Sequence, residues 1–272
     1  MELQTLRLDV ADHVATVTLT RGEALNTMTA AFWDEVPQAF AAIDADPSVR
    51  AVVIAATGKH FTAGLDLGWA GQSLSGHGGD AGRAREAFRR HVKHLQQTFS
   101  VVDRCRVPVI AVVQGGCIGG GVDFVTACDL RVGTADCYFT VQEINIAIVA
   151  DVGTLQRIPH LLPQGLVREL AYTGRKFGAA EARAYGFLNR VEEGHAAALA
   201  SGQALAAEIA AKSPLAIAGI KQVLNHGRDA TIEAGLEYVA VWNAAMLQGD
   251  DMVAAVGAQR AKQVAMFADL SG

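Results

Sequence analysis

Two short apolar runs, each followed at once by a glycine-containing loop, constrain the fold of this chain more than any other feature. The first run spans Ala51 to Ala56 between Arg50 and the Thr57–Gly58 turn, and the second spans Val107 to Val113. Their length and β-branched content predict buried strands. We place a third strand at Asp129 to Gly133. Because helical patterns of about ten to fifteen residues separate such strands, the sequence predicts crossover connections and a parallel sheet.

The patterns on either side of this sheet differ from each other. The first twenty residues alternate between apolar and polar around Ala11–Asp12, which predicts a hairpin, and the apolar spacing from Thr29 to Ile43 predicts a helix. From Ala196 onward, alanine-rich helical segments follow one another without a strand candidate: Ala197 to Lys212, Pro214 to Asn225, Ala230 to Leu247 and Asp251 to Phe267. We therefore predict an α/β core over residues 1–195 and a helical region over residues 196–272.

Charge, hydropathy and cysteine spacing narrow the class of protein. The formal net charge of −5 argues against general nucleic-acid binding, which depends on a basic surface. The uncharged stretch from Val107 to Val122 is 16 residues long and interrupted by glycines, so it is too short and too broken to span a membrane. The cysteines form no CxxC pair, and we expect buried thiols in a reduced, cytoplasmic protein. They are Cys105, Cys117, Cys128 and Cys137.

The loops after the first two strands are rich in groups that can contact a ligand through the backbone. One loop reads GKHFTAGLDL at 58–67, and the other reads QGGCIGGGVD at 114–123 with five glycines in seven residues. Carboxyl ends of parallel strands meet at one edge of a sheet, so the two loops can supply two N–H donors to one developing oxyanion. Tight packing of a helix on a strand is the alternative explanation for the glycines. Neither the GxGxxG nor the P-loop pattern is present, which argues against a phosphate loop.

Three acids lie in apolar surroundings close to these loops. Asp123, Glu143 and Asp151 fall within 29 residues, and a carboxylate in such a run is paired, shifted in pKa or functional. A salt bridge or helix cap would explain any one of them alone. Together, beside two candidate oxyanion donors, they favour general acid–base chemistry.

Other candidate features indicate no further chemistry. His91 and His94 could share a helix face, but their basic neighbours favour a solvated surface, and we expect no metal site. No HExxH is present, and no GxSxG pattern of a serine hydrolase precedes a helix. The stretch from Gly71 to Gly82, GQSLSGHGGDAG, is predicted to be a mobile loop.

The motifs in combination resemble the enoyl-CoA hydratase/isomerase (crotonase) superfamily over essentially the whole chain. They are ALNTM at 24–28, HFTAGLDL at 60–67 and QGGCIGGGVDFVTACDLRV at 114–132, followed by the acidic stretch that contains Glu143 and Asp151. Within the superfamily, the segments around Asp123, Glu143 and Asp151 are most similar to Δ3,5-Δ2,4-dienoyl-CoA isomerases. The resemblance implies an α/β spiral of ββα units and a C-terminal helical region that forms homotrimers, often paired into hexamers.

The resemblance also implies a site for an acyl-CoA thioester, with no metal and no cofactor beyond the CoA of the substrate. The N–H groups of Leu65 and Gly120 would form the oxyanion hole, and the carbonyl of Ala63 would lie near the adenine. The remaining implied CoA-binding residues are Gly64, Asp66 and Phe267. Fatty-acid β-oxidation is the default pathway for such an enzyme.

The implied reaction converts a 3,5-dienoyl-CoA to a 2,4-dienoyl-CoA by moving a proton from C2 to C6 through a dienolate. We expect Glu143 and Asp151 to form the proton-transfer pair and Asp123 to set their ionisation or orientation, and the sequence leaves open which of the pair acts at C2. The first alternative is a 2-enoyl-CoA hydratase in which Asp123 and Glu143 position a water. The second is a non-catalytic acyl-CoA-binding scaffold.

Several positions depart from the common pattern of the superfamily. Hydratases usually carry Glu where Asp123 stands and lack an acid at Asp151, and Gln142 replaces a frequent Pro before Glu143. Phe267 is followed by ADLSG without a lysine, so the partner of the CoA phosphates stays open. The sequence does not end in SKL, which adds to the expectation of a cytoplasmic rather than peroxisomal protein.

Overall fold

The computed structural model describes residues 1–69 and 80–270. Its strands are β1 Leu6–Ala11, β2 Val14–Leu19, β3 Ala51–Ala56, β4 Val109–Val113, β5 Gly116–Ile118, β6 Leu130–Thr134, β7 Tyr138–Thr140, β8 Phe177–Gly178 and β9 Arg190–Glu192. Its α-helices are α1 Ala30–Ala45, α2 Ala81–Arg104, α3 Gly120–Thr126, α4 Thr154–Arg157, α5 Gln164–Thr173, α6 Ala179–Ala184, α7 His195–Ala210, α8 Pro214–Gly227, α9 Ile232–Met246 and α10 Asp250–Ala261. Short 3₁₀ helices span Gly22–Ala24, Gln142–Ile146 and Ile158–His160.

The main sheet has the order β1-β2-β3-β4-β6-β9, and every pair except β1–β2 is parallel. The predicted hairpin is confirmed, because Asp12 and His13 both adopt positive φ in the two-residue turn between β1 and β2. The predicted strand at Ala51–Ala56 is confirmed, whereas β4 begins two residues later than expected. Pro108 precedes β4 and has no N–H to donate, and only its carbonyl joins the ladder, accepting from the Val52 N–H.

A second, three-stranded sheet carries the glycine loop and was not predicted from the sequence. Strand β5 pairs parallel with β7, and β7 pairs antiparallel with β8. The strands are two or three residues long, which is too short for an alternating pattern to be recognised. The glycine run therefore forms a short strand before it enters α3.

Helix α2, whose bounds were not predicted, covers the side of the core that supports the functional site. Asp80 caps its first turn by accepting a hydrogen bond from the Arg83 N–H. Residues 80–82 of the predicted Gly71–Gly82 loop thus begin this helix, and residues 71–79 lie outside the described residues. Phe99 of α2 stacks on Phe124 of α3, with ring centroids 5.3 Å apart, and Phe32 of α1 meets Phe124 edge-on at 5.8 Å.

The C-terminal helices fall into two groups. Helix α7 packs its small residues Ala198, Ala206 and Ala210 against the main sheet. Helix α8 is anchored by Lys221, whose Nζ lies 2.7 Å from an Asp129 carboxylate oxygen. Helices α9 and α10, by contrast, bury none of their residues within the described chain.

The last helix ends at Ala261 rather than at the predicted Phe267. Lys262 adopts φ of +55° and ends the helix, and the segment that follows lies along the body of the protein. There the Arg50 guanidinium donates to the Phe267 carbonyl at 2.8 Å and to the Asp269 carboxylate at 2.7 Å. Among the described residues, no helix combines the length and apolar character that membrane crossing requires.

Candidate active site

A cavity of about 800 Å³ opens where the loops after β3 and β4 converge, and its walls are mostly apolar. Several of its residues come from the loop after β3: Ala63, Leu65, Asp66, Leu67, Gly68 and Trp69. The glycine loop and the acidic stretch contribute Ile118, Gly119, Gly120, Gln142, Glu143, Ile146, Ile148, Asp151 and Val152. Helices α1 and α2 close it with Trp33, Phe88, His91, Val92 and Leu95. The two predicted loops thus meet at one site.

The backbone at Leu65 is held so that its N–H is free for a ligand. Met28 donates its N–H to the Gly64 carbonyl at 2.8 Å and accepts from the Asp66 N–H at 3.1 Å. In such a parallel bridge the intervening Leu65 N–H points away from the Met28 strand. Within the described residues, neither the Leu65 nor the Gly120 N–H donates to a protein acceptor.

Gly64 allows the loop after β3 to approach the glycine loop closely. It adopts φ of +83°, and a Cβ at this position would lie 2.5 Å from the Ile118 carbonyl oxygen and 3.5 Å from the Gly120 nitrogen. An L-residue would be strained in this conformation and would push the loops apart. The lack of a side chain at position 64 thus lets the free N–H groups of Leu65 and Gly120 lie close together.

Glu143 lies on the 3₁₀ helix after β7 and faces the cavity beside the glycine loop. Its Oε1 comes within 3.4 Å of where a Cβ on Gly119 would be, and its Oε2 has no hydrogen-bond partner among the described residues. Burial, reinforced by the charge of Asp123, raises the pKa of Glu143 to about 7. This carboxyl group can therefore hold or release a proton near neutral pH.

Asp123 does not line the cavity but lies behind its wall, fully buried in α3. Its Oδ1 accepts a hydrogen bond from the Thr154 N–H at 2.6 Å, while its Oδ2 is unpartnered among the described residues. Burial raises the pKa of Asp123 to about 6, although the hydrogen bonds from Thr154 and the charge of Arg157 oppose this. Asp123 thus lies next to the site without lining it, and its hydrogen bond anchors the turn at Thr154.

Asp151 also lines the cavity and is the most exposed of the three acids. Its main-chain carbonyl accepts a hydrogen bond at 2.7 Å from Nε2 of Gln96 on α2. Partial burial raises its pKa, and a backbone hydrogen bond and the nearby His91 oppose that rise. The structure therefore brings Glu143 and Asp151 to one cavity, in different environments.

An aromatic wall formed by α1, α2 and the loop after β3 was missed by the sequence analysis. The ring centroids of Trp33 and Trp69 are 6.0 Å apart, and that of Trp69 lies 5.9 Å from His91. The interpretation of His91 as a solvated surface residue was therefore wrong, because its ring belongs to the cavity. His94 does lie on the surface, where its Nε2 is 3.2 Å from an Asp34 carboxylate oxygen. An apolar residue every three or four positions from Phe88 to Leu95 could have revealed this wall.

The structure places two of the four residues expected to contact CoA in the wall of the cavity and two outside it. Ala63 and Asp66 line the cavity, and Asp66 accepts hydrogen bonds from the Trp69 N–H at 3.0 Å and the Thr27 hydroxyl at 3.2 Å. These bonds, chiefly the one from Trp69, lower the pKa of Asp66. Gly64 shapes the loop without lining the cavity. Phe267 lies beside Arg50, which precedes β3, and so is at the opposite end of that strand from the cavity.

Other reactive groups in the structure lie outside this site. All four cysteines are free and buried, as predicted, and burial raises the pKa of Cys105 to about 12. In residues 1–69 and 80–270, no cluster of three or more His, Cys, Asp or Glu side chains is placed to hold a metal ion. Within the cavity, the carboxyl groups of Glu143 and Asp151 and the N–H groups of Leu65 and Gly120 are suited to proton transfer beside a developing oxyanion.

Comparison with known families and proteins identifies similar chains. The enoyl-CoA hydratase/isomerase family matches residues 9–268. The peroxisomal Δ(3,5)-Δ(2,4)-dienoyl-CoA isomerase of Arabidopsis thaliana is 41% identical over 98% of this chain and 97% of its own length. The mitochondrial Δ(3,5)-Δ(2,4)-dienoyl-CoA isomerase of Homo sapiens is 45% identical over 94% of this chain and 79% of its own.

Solved structures agree with this result at the level of the fold. The crystal structure of an enoyl-CoA hydratase from Bacillus anthracis superimposes with a TM-score of 0.87 at 26% identity, covering 97% of this chain and 99% of that one. The predicted α/β spiral with C-terminal helices is thereby confirmed. The expectation of a cytoplasmic protein is wrong, because the dienoyl-CoA isomerases that it matches are peroxisomal or mitochondrial. Reduced cysteines, on which that expectation depended, do not distinguish these compartments.

Proposed function

The chain belongs to the enoyl-CoA hydratase/isomerase family, and on that premise we propose that it is an enzyme that isomerises 3,5-dienoyl-CoA to 2,4-dienoyl-CoA thioesters. The proposal is carried by one observation: Glu143 and Asp151 line the same apolar cavity as the free N–H groups of Leu65 and Gly120. Two relatives at 41% and 45% identity bear the name of this activity, which supports it.

The reaction begins with removal of a weakly acidic proton from C2, next to the thioester carbonyl. As negative charge develops on the thioester oxygen, the N–H groups of Leu65 and Gly120 stabilise it. Losing one such donor typically costs on the order of 10²–10³ in rate. The electrons then spread along the planar dienolate to C6, which takes up a proton.

Two carboxyl groups suit this transfer better than one. C2 and C6 are four bonds apart along the dienolate, so a single short side chain cannot easily reach both. One of Glu143 and Asp151 acts as the base and the other as the acid, and each needs a pKa near the working pH. Asp123 contributes to this by raising the pKa of Glu143 through its charge and by anchoring Thr154. A proton shift of this kind needs no redox cofactor or metal.

The alternative of a 2-enoyl-CoA hydratase is less well supported by the geometry. Hydration would use Asp123 and Glu143 to position a water, but Asp123 lies behind the cavity wall. It also leaves Asp151 without a role. A non-catalytic scaffold would have no need of three acids around a free pair of N–H donors.

We also propose that the chain forms homotrimers, alone or paired into hexamers, through its C-terminal helices. Helices α9 and α10 bury none of their own residues in the described chain, and several large apolar side chains on them are exposed. They include Ile232, Leu236, Val241, Val253 and Val256. Apolar surface of this extent is characteristic of a subunit interface.

A side-by-side assay on a 3,5-dienoyl-CoA and a 2-enoyl-CoA tests the proposed activity. Isomerisation is measured by the gain of dienoyl-thioester absorbance, and hydration by the loss of enoyl absorbance. We expect fast isomerisation and slow hydration. The reverse result would make Asp151 structural and the protein a hydratase, and binding of CoA without turnover of either would contradict both.

A further inference from the structure

A second, polar cavity of about 480 Å³ lies on the other side of the turn that carries Asp151. Val152 belongs to the walls of both cavities, so this turn separates them. The titratable and charged residues of the second cavity come from α2, α4, the 3₁₀ helix after it and the α8–α9 connection. They are Lys93, Asp103, Arg157, His160, Arg228 and Asp229.

Arg157, at the end of α4, reaches back across this cavity to the turn. Its Nη2 donates to the Ser100 hydroxyl at 3.2 Å, and its Nε lies 3.5 Å from an Asp103 carboxylate oxygen. Its Nη1 donates to the Val152 carbonyl at 3.5 Å. The side chain is only 13% exposed, so these contacts hold a desolvated guanidinium between α2 and the turn.

Gly153 shows how closely the guanidinium packs against the turn. It adopts φ of +134°, which an L-residue rarely does, and a Cβ at this position would overlap Nη1 of Arg157. The next residue, Thr154, is the one whose N–H donates to Asp123. Arg157 and Asp123 thus hold the same turn, Arg157 at the Val152 carbonyl and Asp123 at the Thr154 N–H.

Asp103 extends this set of contacts to the C-terminal helices. Its other oxygen accepts from Nη2 of Arg228 at 2.9 Å, and its main-chain carbonyl accepts from Nδ2 of Asn225 at 3.1 Å. Arg228 and Asn225 lie at the end of α8, where the chain turns toward α9. A continuous series of polar contacts therefore runs from the α8–α9 connection to the turn.

We propose that Arg157 is a positioning residue for the reaction: its planar guanidinium fixes the turn from Asp151 to Thr154 so that the Asp151 carboxyl group reaches the acyl chain. The proposal rests on the isomerase function argued above. These contacts suit the planar fork of an arginine, whose two terminal nitrogens donate to Ser100 and Val152 while Nε faces Asp103, whereas a lysine ammonium is a single point charge. Positive charge alone at this place is not sufficient.

The test compares Arg157→Gln and Arg157→Lys with the wild-type protein on a 3,5-dienoyl-CoA. Because displacing a catalytic group by about 1 Å costs on the order of 100-fold, we expect kcat to fall roughly 10- to 100-fold in both variants. We expect KM to change little, because no CoA contact is lost. Arg168→Gln is the matched control, since Arg168 lies exposed on α5 and, among the described residues, donates only to the Tyr172 hydroxyl. It should behave as wild type.

Hydrogen exchange of the amides at 152–156 gives a readout that does not depend on turnover. Faster exchange in Arg157→Gln, with the rest of the protein unchanged, is expected. Ser100→Ala removes one contact and keeps the arginine, so it provides the test if the Arg157 variants do not fold. For this variant we expect a smaller fall in kcat and the same faster exchange of the amides at 152–156. The inference would be overturned if Arg157→Gln kept the wild-type kcat, if Arg157→Lys fully restored it, or if exchange of the turn did not change. An inactive wild type would instead refute the proposed function.

Discussion

Replacing Glu143 by glutamine should make the protein more stable at neutral pH while it abolishes turnover. Glutamine has nearly the shape of the protonated glutamic acid, so Glu143→Gln keeps the packing of the 3₁₀ helix and removes only the ionisation. Oε2 of the Glu143 carboxylate has no hydrogen-bond partner within the described chain. It is therefore poorly compensated whenever it is charged.

The size of the effect follows from the pKa of this group. Burial and the charge of Asp123 raise the pKa of Glu143 from 4.5 to about 7. At about 1.4 kcal/mol per pKa unit, the difference corresponds to about 3 kcal/mol. A group with a raised pKa stabilises the folded state fully below the unfolded pKa, and that stabilisation is lost as the pH rises through the folded pKa. Between about pH 4.5 and pH 7 the unfolding free energy of the wild type should therefore fall by up to about 3 kcal/mol, whereas that of Glu143→Gln should not show this fall.

Urea denaturation of both proteins at pH 5 and pH 8, at equal protein concentration, measures this difference. We expect the unfolding free energies to be similar at pH 5 and that of Glu143→Gln to be higher at pH 8. Glu193→Gln, at an exposed position, should show no such dependence on pH. If the two pH values give the same difference between Glu143→Gln and wild type, the reasoning from burial is wrong.

Three further changes test the other parts of the site. Asp151→Asn should abolish isomerisation and leave the circular dichroism spectrum intact, because an amide neither takes nor gives a proton at neutral pH; near-normal turnover would remove the case for a dienoyl-specific pair. Gly64→Ala places a Cβ 2.5 Å from the Ile118 carbonyl oxygen at φ of +83°. It should cost at least about 1–2 kcal/mol of unfolding free energy and, by moving the Leu65 N–H, on the order of 100-fold in kcat; full activity would contradict the assigned donors. Leu236→Asp puts a charge at a side chain that is 64% exposed on α9 and should yield a smaller species in size-exclusion chromatography, whereas an unchanged size would argue against this interface.

The parts of the site that are local in sequence were predictable. Each of the runs Ala51–Ala56 and Val107–Val113 is long enough and sufficiently β-branched to indicate a strand, so the loops after them could be assigned to one edge of a sheet. The three acids were recognisable because charge in an apolar stretch must be explained. Their convergence, however, depends on contacts between distant segments, as when the Asp123 carboxylate meets the Thr154 N–H.

What could not be predicted depends on tertiary packing. Asp123, Glu143 and Asp151 look alike in the sequence, yet one lies behind the cavity wall, one half-buried in it and one at its exposed side. His91 follows basic residues that do face solvent, but α2 turns its ring toward Trp69. The contact of Arg157 with Ser100 joins residues 57 positions apart, and no periodicity of the sequence indicates it.

The unequal burial of Glu143 and Asp151 also determines how long each can keep an abstracted isotope. A substrate deuterated at C2 transfers its label to whichever carboxyl group is the base. If the base is the enclosed Glu143, the label stays long enough to return to C2, and recovered substrate remains deuterated. If it is the more exposed Asp151, ordinary water removes the label, and substrate that re-forms from the dienolate has lost it. Washout of the label from recovered substrate thus identifies Asp151 as the base at C2.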